Sequence, residues 1–225
     1  MRSKLLSLLL CLCLALGLFT ACKERDRTYN EAEVTAAARA LIEKSKILNE
    51  IYWGAGIPFV APEEGEDSIG VYRPADPEYL KWLKDTHGIA SIADLKAKTR
   101  EVYSAAGYAS IVSSRLGEGG EDDGQNLYVR YYESKKNDDV GAIDAWMVYT
   151  RADNFYANTE SVEYIYDGMT VSDVEGEYLT VSLKVKTKGK DGSESTRDFT
   201  VRLIEEEGGY RLSGATYAPH PAAAN

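Results

Sequence analysis

The sequence predicts an α+β fold in which N-terminal helices pack on one face of a curved, cone-like antiparallel β-sheet, behind an export signal. Three observations predict it. Apolar residues recur at three- and four-residue spacing through the first half of the chain and at two-residue spacing through the second. Helical signals come first and strand signals later, the order of an α+β rather than an alternating α/β protein. Finally, an unbroken run of small and apolar residues follows Arg2 and Lys4 and leads to Cys22.

Residues 1–21 have a charged start, a short apolar core and a small-residue end, the layout of an export signal. The apolar stretch is shorter than the roughly 20 residues of a membrane span. Its end, Leu18-Phe19-Thr20-Ala21-Cys22, resembles the lipobox of bacterial lipoproteins, with Phe19 standing where Leu is usual. The resemblance implies that Cys22 becomes a lipidated N-terminus, anchoring the protein on the extracytoplasmic face of the cell membrane. Several acyl chains, at about 0.8 kcal/mol per buried methylene, make a lasting anchor. Residues 22–30 then hold the lipidated Cys and a short tether. Cys11 and Cys13 leave with the signal, so the mature domain has no free thiol. Disulfides, cysteine nucleophiles and thiolate metal sites are thereby excluded.

The signal holds two of the 26 basic residues and none of the 36 acidic ones, so its removal takes the formal net charge from −10 to −12. Such acidity argues against nucleic acid and against direct adhesion to anionic head groups. It suits a basic partner, and it also keeps an exported protein soluble.

The mature length fits a single α+β domain, over residues 31–218, with a substantial core. Asn30, with Glu33 three residues on, caps a helix from Glu31 to about Trp53. Val34, Ala37, Leu41, Ile42, Leu48 and Tyr52 mark its buried stripe, and Gly54, Gly56 and Pro58 end it. Residues 60–70 are acidic, contain Pro62 and Gly65, and read as a surface loop. Asp76, Pro77 and Gly88 bracket a short helix over 76–86. Ser91 and Asp94 form a second capping-box pattern, opening a helix with Ile92, Leu95, Val102 and Tyr103 on one side. After Ser104 a further helix runs through Ile111 to Leu116. The stretch Gly117 to Gly124 has four glycines and four acids and predicts a mobile, negative loop.

Strands follow. Leu127, Val129 and Tyr131 alternate with Tyr128, Arg130 and Tyr132. Leu179, Val181, Leu183 and Val185 repeat the scheme, as do Phe199, Val201 and Leu203. Turns fall at Gly189-Lys190-Asp191-Gly192 and Glu207-Gly208-Gly209. One apolar and one polar face per strand describes an antiparallel sheet covered on one side. Residues 219–225 read as a disordered tail.

Three phrases resemble the nuclear transport factor 2-like and cystatin-like fold group: Leu48-Asn49-Glu50-Ile51-Tyr52-Trp53-Gly54, then Ile92-Ala93-Asp94-Leu95 leading to Glu101-Val102-Tyr103-Ser104, then Gly209-Tyr210-Arg211-Leu212 with Thr216-Tyr217. The order of elements is similar to that of the IseA-type inhibitors of bacterial cell-wall DL-endopeptidases, which are soluble secreted proteins. The resemblance implies a steric inhibitor whose partner is a peptidoglycan hydrolase.

Chemistry has few candidates. His87 falls at a helix C-terminus, where the dipole favours a cation, and His220 lies between Pro219 and Pro221 in the tail. Neither context points to a Ser-His-Asp arrangement. Glu118, Glu121, Asp122 and Asp123 could offer oxygens to calcium, yet their spacing is not that of a calcium loop. No metal or cofactor is therefore expected. Tyrosine is abundant, 16 against four Phe, with Tyr128, Tyr131 and Tyr132 on one strand and Tyr164 and Tyr166 on another. Cross-strand packing explains such clusters, although Tyr103, Tyr128, Asp144 and Tyr164 could also line a cone.

Two classes remain. In the first, a non-catalytic module binds a basic cell-wall hydrolase through Glu118, Glu121, Asp122 and Asp123. In the second, the cone holds a small ligand, as a receptor or as an isomerase- or dehydratase-type enzyme. A deep cavity holding an acid of raised pKa separates the second from the first, whose core would be filled.

Overall fold

A computed structural model describes residues 29–57, 59–60, 73–74, 76–116, 126–131, 146–151 and 155–221. Helix α1, Glu31–Trp53, starts where the Asn30 side chain accepts from the Ala32 and Glu33 amides at 3.1 and 3.4 Å. Its buried face runs through Val34, Ala38, Leu41, Ile42, Ser45, Leu48, Asn49 and Tyr52. Ala38, not Ala37, takes the second buried position, since four residues from Val34 complete the turn more closely than three. Two-residue strands β1, Phe59–Val60, and β2, Arg73–Pro74, pair antiparallel at the two ends of the expected surface loop.

Helix α2, Pro77–His87, is capped by Asp76, which accepts from the Glu78 and Tyr79 amides. Gly88 ends it at φ 67°, a left-handed conformation that glycine adopts without a Cβ clash. Helix α3, Ile92–Val102, has the expected capping box: Ser91 Oγ accepts from the Asp94 amide and donates to Asp94 Oδ2. Tyr103 leaves the helix in extended form, buried, and bridges to Leu212. Helix α4, Ala105–Leu116, follows Ser104, whose Oγ accepts from the Gly107 amide. No helix among the described residues is long and apolar enough to cross a membrane.

Strands β3, Asn126–Tyr131, and β4, Trp146–Arg151, form a separate antiparallel pair. The main sheet is β5, Thr159–Glu175; β6, Tyr178–Gly189; β7, Glu194–Glu206; and β8, Gly209–Leu212. They pair antiparallel in that order and curl into a half-barrel. The 17-residue β5 carries Tyr164 and Tyr166, and it shifts register around Gly168, at φ 76°. Such bulges bend a strand and increase twist.

The alternation read in β6 is realised: Leu179, Val181, Leu183 and Val185 are buried, and Val201 and Leu203 on β7 join them. With the buried stripe of α1 and with Leu83, Leu95, Val102 and Tyr103, they form one core. Every described core residue lies between Val34 and Ala218, so a chain from Lys23 to Asn225 retains all of it.

Beyond β8 the chain runs back over the sheet instead of leaving it. Ser213 donates to Arg202 O, and Ala218 donates to the Tyr156 hydroxyl. Arg197 donates to Pro219 O at 2.7 Å, and the His220 amide donates to Thr159 Oγ1 at 2.9 Å. Pro219 and His220 thus depart from the free tail expected from residue 219. Each of these hydrogen bonds replaces one to water, for a net gain of about 0.5–1.5 kcal/mol.

Candidate functional site

The residues that sequence reading singled out as sites, Cys22, Glu118, Glu121, Asp122 and Asp123, lie outside the described residues, as does Asp144. Tyr128 stands opposite Tyr149 in the β3–β4 pair. Tyr103 and Tyr164 are placed together, under the returning C-terminal segment, in a polar seam between α1 and the sheet.

Thr216 is the hub of that seam and is fully buried. Its carbonyl accepts from the Tyr164 hydroxyl at 2.6 Å. Its hydroxyl lies 2.5 Å from Ser45 Oγ and 2.9 Å from Asn49 Nδ2. Counting protons fixes the directions. Ser45 spends its proton on the Ile42 carbonyl at 2.7 Å, which can only accept. Thr216 must then donate to Ser45, leaving its own oxygen to accept from the Asn49 amide nitrogen. Asn49 Oδ1 is left over, buried and without a hydrogen-bond partner among the described residues. Nearby, Tyr52 shares a 2.9 Å hydrogen bond with Thr99, which donates to Leu95 O.

Burial pushes the Tyr52, Tyr103, Tyr156 and Tyr164 phenols far above the ordinary tyrosine range, and neighbouring phenols push the same way. These side chains therefore stay neutral at any physiological pH. A cation–aromatic cluster borders the seam. Trp53 stacks on Tyr217 at 5.2 Å, and the buried Arg115 guanidinium lies over Trp53 and Phe155 at 5.2 and 5.6 Å.

At the outer end of the seam is an open groove of about 360 Å³. Asn49 and Glu50 from α1, Tyr156, Glu160 and Tyr164 from β5 and the turn before it, and Lys190 from the β6–β7 turn line it. Sequence reading missed Asn49, Glu50, Thr216 and Lys190 as a group. Their only signal is that Asn49, Glu50 and Thr216 belong to two of the phrases that carry the family resemblance, and those phrases meet here.

Both histidines hold structure. His220 sits 3.0 Å from Thr187 Oγ1 through Nδ1 and 2.8 Å from Ser193 Oγ through Nε2. Ser193 gives its own proton to Asp191, so Nε2 donates and, in the neutral ring, Nδ1 accepts from Thr187. His87 ends α2 as expected, edge-on to Trp82 at 4.8 Å. Burial lowers its pKa. No group of His, Cys, Asp and Glu among the described residues could hold a metal ion.

Neither known protein families nor curated proteins give a match to this sequence.

Two outcomes follow from the seam. Thr216→Val keeps the shape but orphans Asn49 Nδ2 and the Ser45 oxygen, so it should cost about 2 kcal/mol or more. Thr216→Ser keeps the hydroxyl and should retain most of that; denaturant melts of both variants measure it. The buried phenols have folded pKa values above their unfolded value of 10.0. Their stability contribution is whole below about pH 10 and is lost as pH rises towards the folded values. The melting temperature should therefore fall above about pH 10, with tyrosinate absorbance appearing together with unfolding; tyrosinate appearing well before unfolding would contradict the burial.

Proposed function

We propose that this chain is a non-catalytic binding module, held at the extracytoplasmic face of the membrane by a lipid on Cys22, and a steric inhibitor of a peptidoglycan DL-endopeptidase. The observation that carries the reading is the use to which the chain puts its acids and bases. His220 is spent on Thr187 and Ser193, and Tyr164 on Thr216. Glu43, though partly buried, is held below the ordinary carboxylate range by hydrogen bonds from Lys46 and Tyr166. A general acid or base needs a pKa near neutrality and freedom to exchange its proton. The packed core between α1 and β6 also favours a module that presents surfaces over one built around a chamber.

In this reading Glu118, Glu121, Asp122 and Asp123 meet a basic hydrolase and cover its cleft, excluding the stem peptide. A mature net charge of −12 steers the encounter, so binding weakens with salt.

The test titrates the chain from Lys23 to Asn225 into a peptidoglycan digestion by a cysteine-type DL-endopeptidase, at low and high salt. Stoichiometric inhibition that salt relieves is the expected result, and deletion of residues 119–124 should abolish it. Undiminished digestion across several such hydrolases would sink the inhibitor reading. For the anchor, Cys22→Ala should move the protein from the membrane to the soluble fraction; continued membrane association would remove Cys22 as its cause.

A further inference from the structure

The groove at the end of α1 carries charges and a hydrogen-bonding group that the fold does not use. Asn49 is 2 % exposed and lines it, and the proton count at Thr216 leaves its Oδ1 as an acceptor with no donor. A buried acceptor without a donor costs about 1–3 kcal/mol. A ligand N–H would recover that cost.

Four charged side chains line the same groove: Lys46, Glu50, Glu160 and Lys190. Two are committed elsewhere. Lys46 pairs with Glu43 at 2.7 Å, and Glu160 with Lys188 at 2.8 Å. Glu50 and Lys190 have no side-chain ion pair or hydrogen bond, with each other or with any described residue. One negative and one positive group therefore remain in the lining, one on α1 and one on the β6–β7 turn. Tyr156, Tyr164, Ala55 and Val162 line the same groove.

We propose that this groove binds a small zwitterion, an amino acid or a short peptide with both ends free. Its ammonium group is taken by Glu50 and Asn49 Oδ1, and its carboxylate by Lys190. A simple cation would leave Lys190 facing it, and a simple anion would leave Glu50 and the Asn49 acceptor facing it. Only a ligand with both signs satisfies all three. The Asn49 oxygen is shielded from bulk water, so the arriving ammonium sheds hydration, a loss that the Glu50 charge offsets. The volume of about 360 Å³ lies at the small end of ligand sites, which fits a molecule of this class.

The inference rests on the groove alone. An inhibition assay that fails leaves it standing, and an empty groove leaves the inhibitor reading standing. The experiment uses the full chain in detergent and calorimetric titration with L-alanyl-L-alanine, its N-acetyl form, its C-terminal amide and the free amino acids. A zwitterion from this set should bind. Capping either of its ends should weaken binding about tenfold or more, as losing a charge-assisted hydrogen bond does. Glu50→Gln and Lys190→Gln, both at exposed side chains, should each produce a comparable loss without moving the melting temperature. Equal binding of the capped and free forms overturns the proposal, as does indifference to both substitutions. So does the failure of every zwitterion in the set to bind at millimolar concentration.

Discussion

Everything in this domain is tied to the hydroxyl and carbonyl of Thr216. The residue lies in a segment that follows the last strand, and two elements converge on it. Ser45 and Asn49 belong to α1, four residues apart on one face, and Tyr164 stands in β5. A threonine there satisfies two helix side chains with one hydroxyl and a strand tyrosine with its carbonyl. The hydrophobic core supplies the bulk of the driving force, and packing and directional bonds together place α1 on the sheet. The bonds at Thr216 contribute to that position, and with it to the place of the side chains on the end of α1.

The C-terminal segment extends the same logic. Tyr217 stacks on Trp53, Ala218 bonds Tyr156, Pro219 takes Arg197, and His220 takes Thr159, Thr187 and Ser193. A short stretch without strand or helix of its own thus joins α1 to β5, β6 and β7. Its backbone groups would be unsatisfied on an apolar surface, which is why the surfaces beneath it offer tyrosine, arginine and threonine.

Local signals in the sequence carried most of the fold. Asn30, Asp76 and Ser91 cap the helices they announce, and Gly88 closes one because only a left-handed residue fits there. The two-residue alternation of Leu179 to Val185 became a buried sheet face. Long-range polar pairing was not legible. Nothing near His220 in the chain points to Thr187 or Ser193, and a proline-flanked histidine before alanines reads as a free end. Asn49 looked like one more helix residue, because its partner Thr216 lies 167 positions away. β5 passes through Asp167 and Gly168 with a register shift between Ile165 and Thr170. The candidate site was legible only as a family phrase, since two of the quoted phrases turn out to be contact partners.

The outer face of the sheet gives a measure of how unusual the groove is. Lys184 lies 3.7 Å from Asp198, Lys186 lies 3.0 Å from Glu194, and Lys188 lies 2.8 Å from Glu160. Lysines at alternate positions of β6 each find an acid on a neighbouring strand. Exposed pairs of this kind contribute only about 0–1 kcal/mol each. They bring opposite charges together across β5, β6 and β7. Lys190 continues the same alternation, two residues after Lys188, yet it lies on the turn beyond the paired strands and forms no ion pair with a described residue. Glu50 is one helical turn beyond Lys46, which is paired, and likewise forms no ion pair with a described residue. The two unpaired charges therefore arise where two paired series each run one step further, and both steps end in the same groove. A chain as acidic as this one has carboxylates to spare for Lys190. Lys190 and Glu50 line one groove without an ion pair among the described residues, which is what a site for both signs of charge requires.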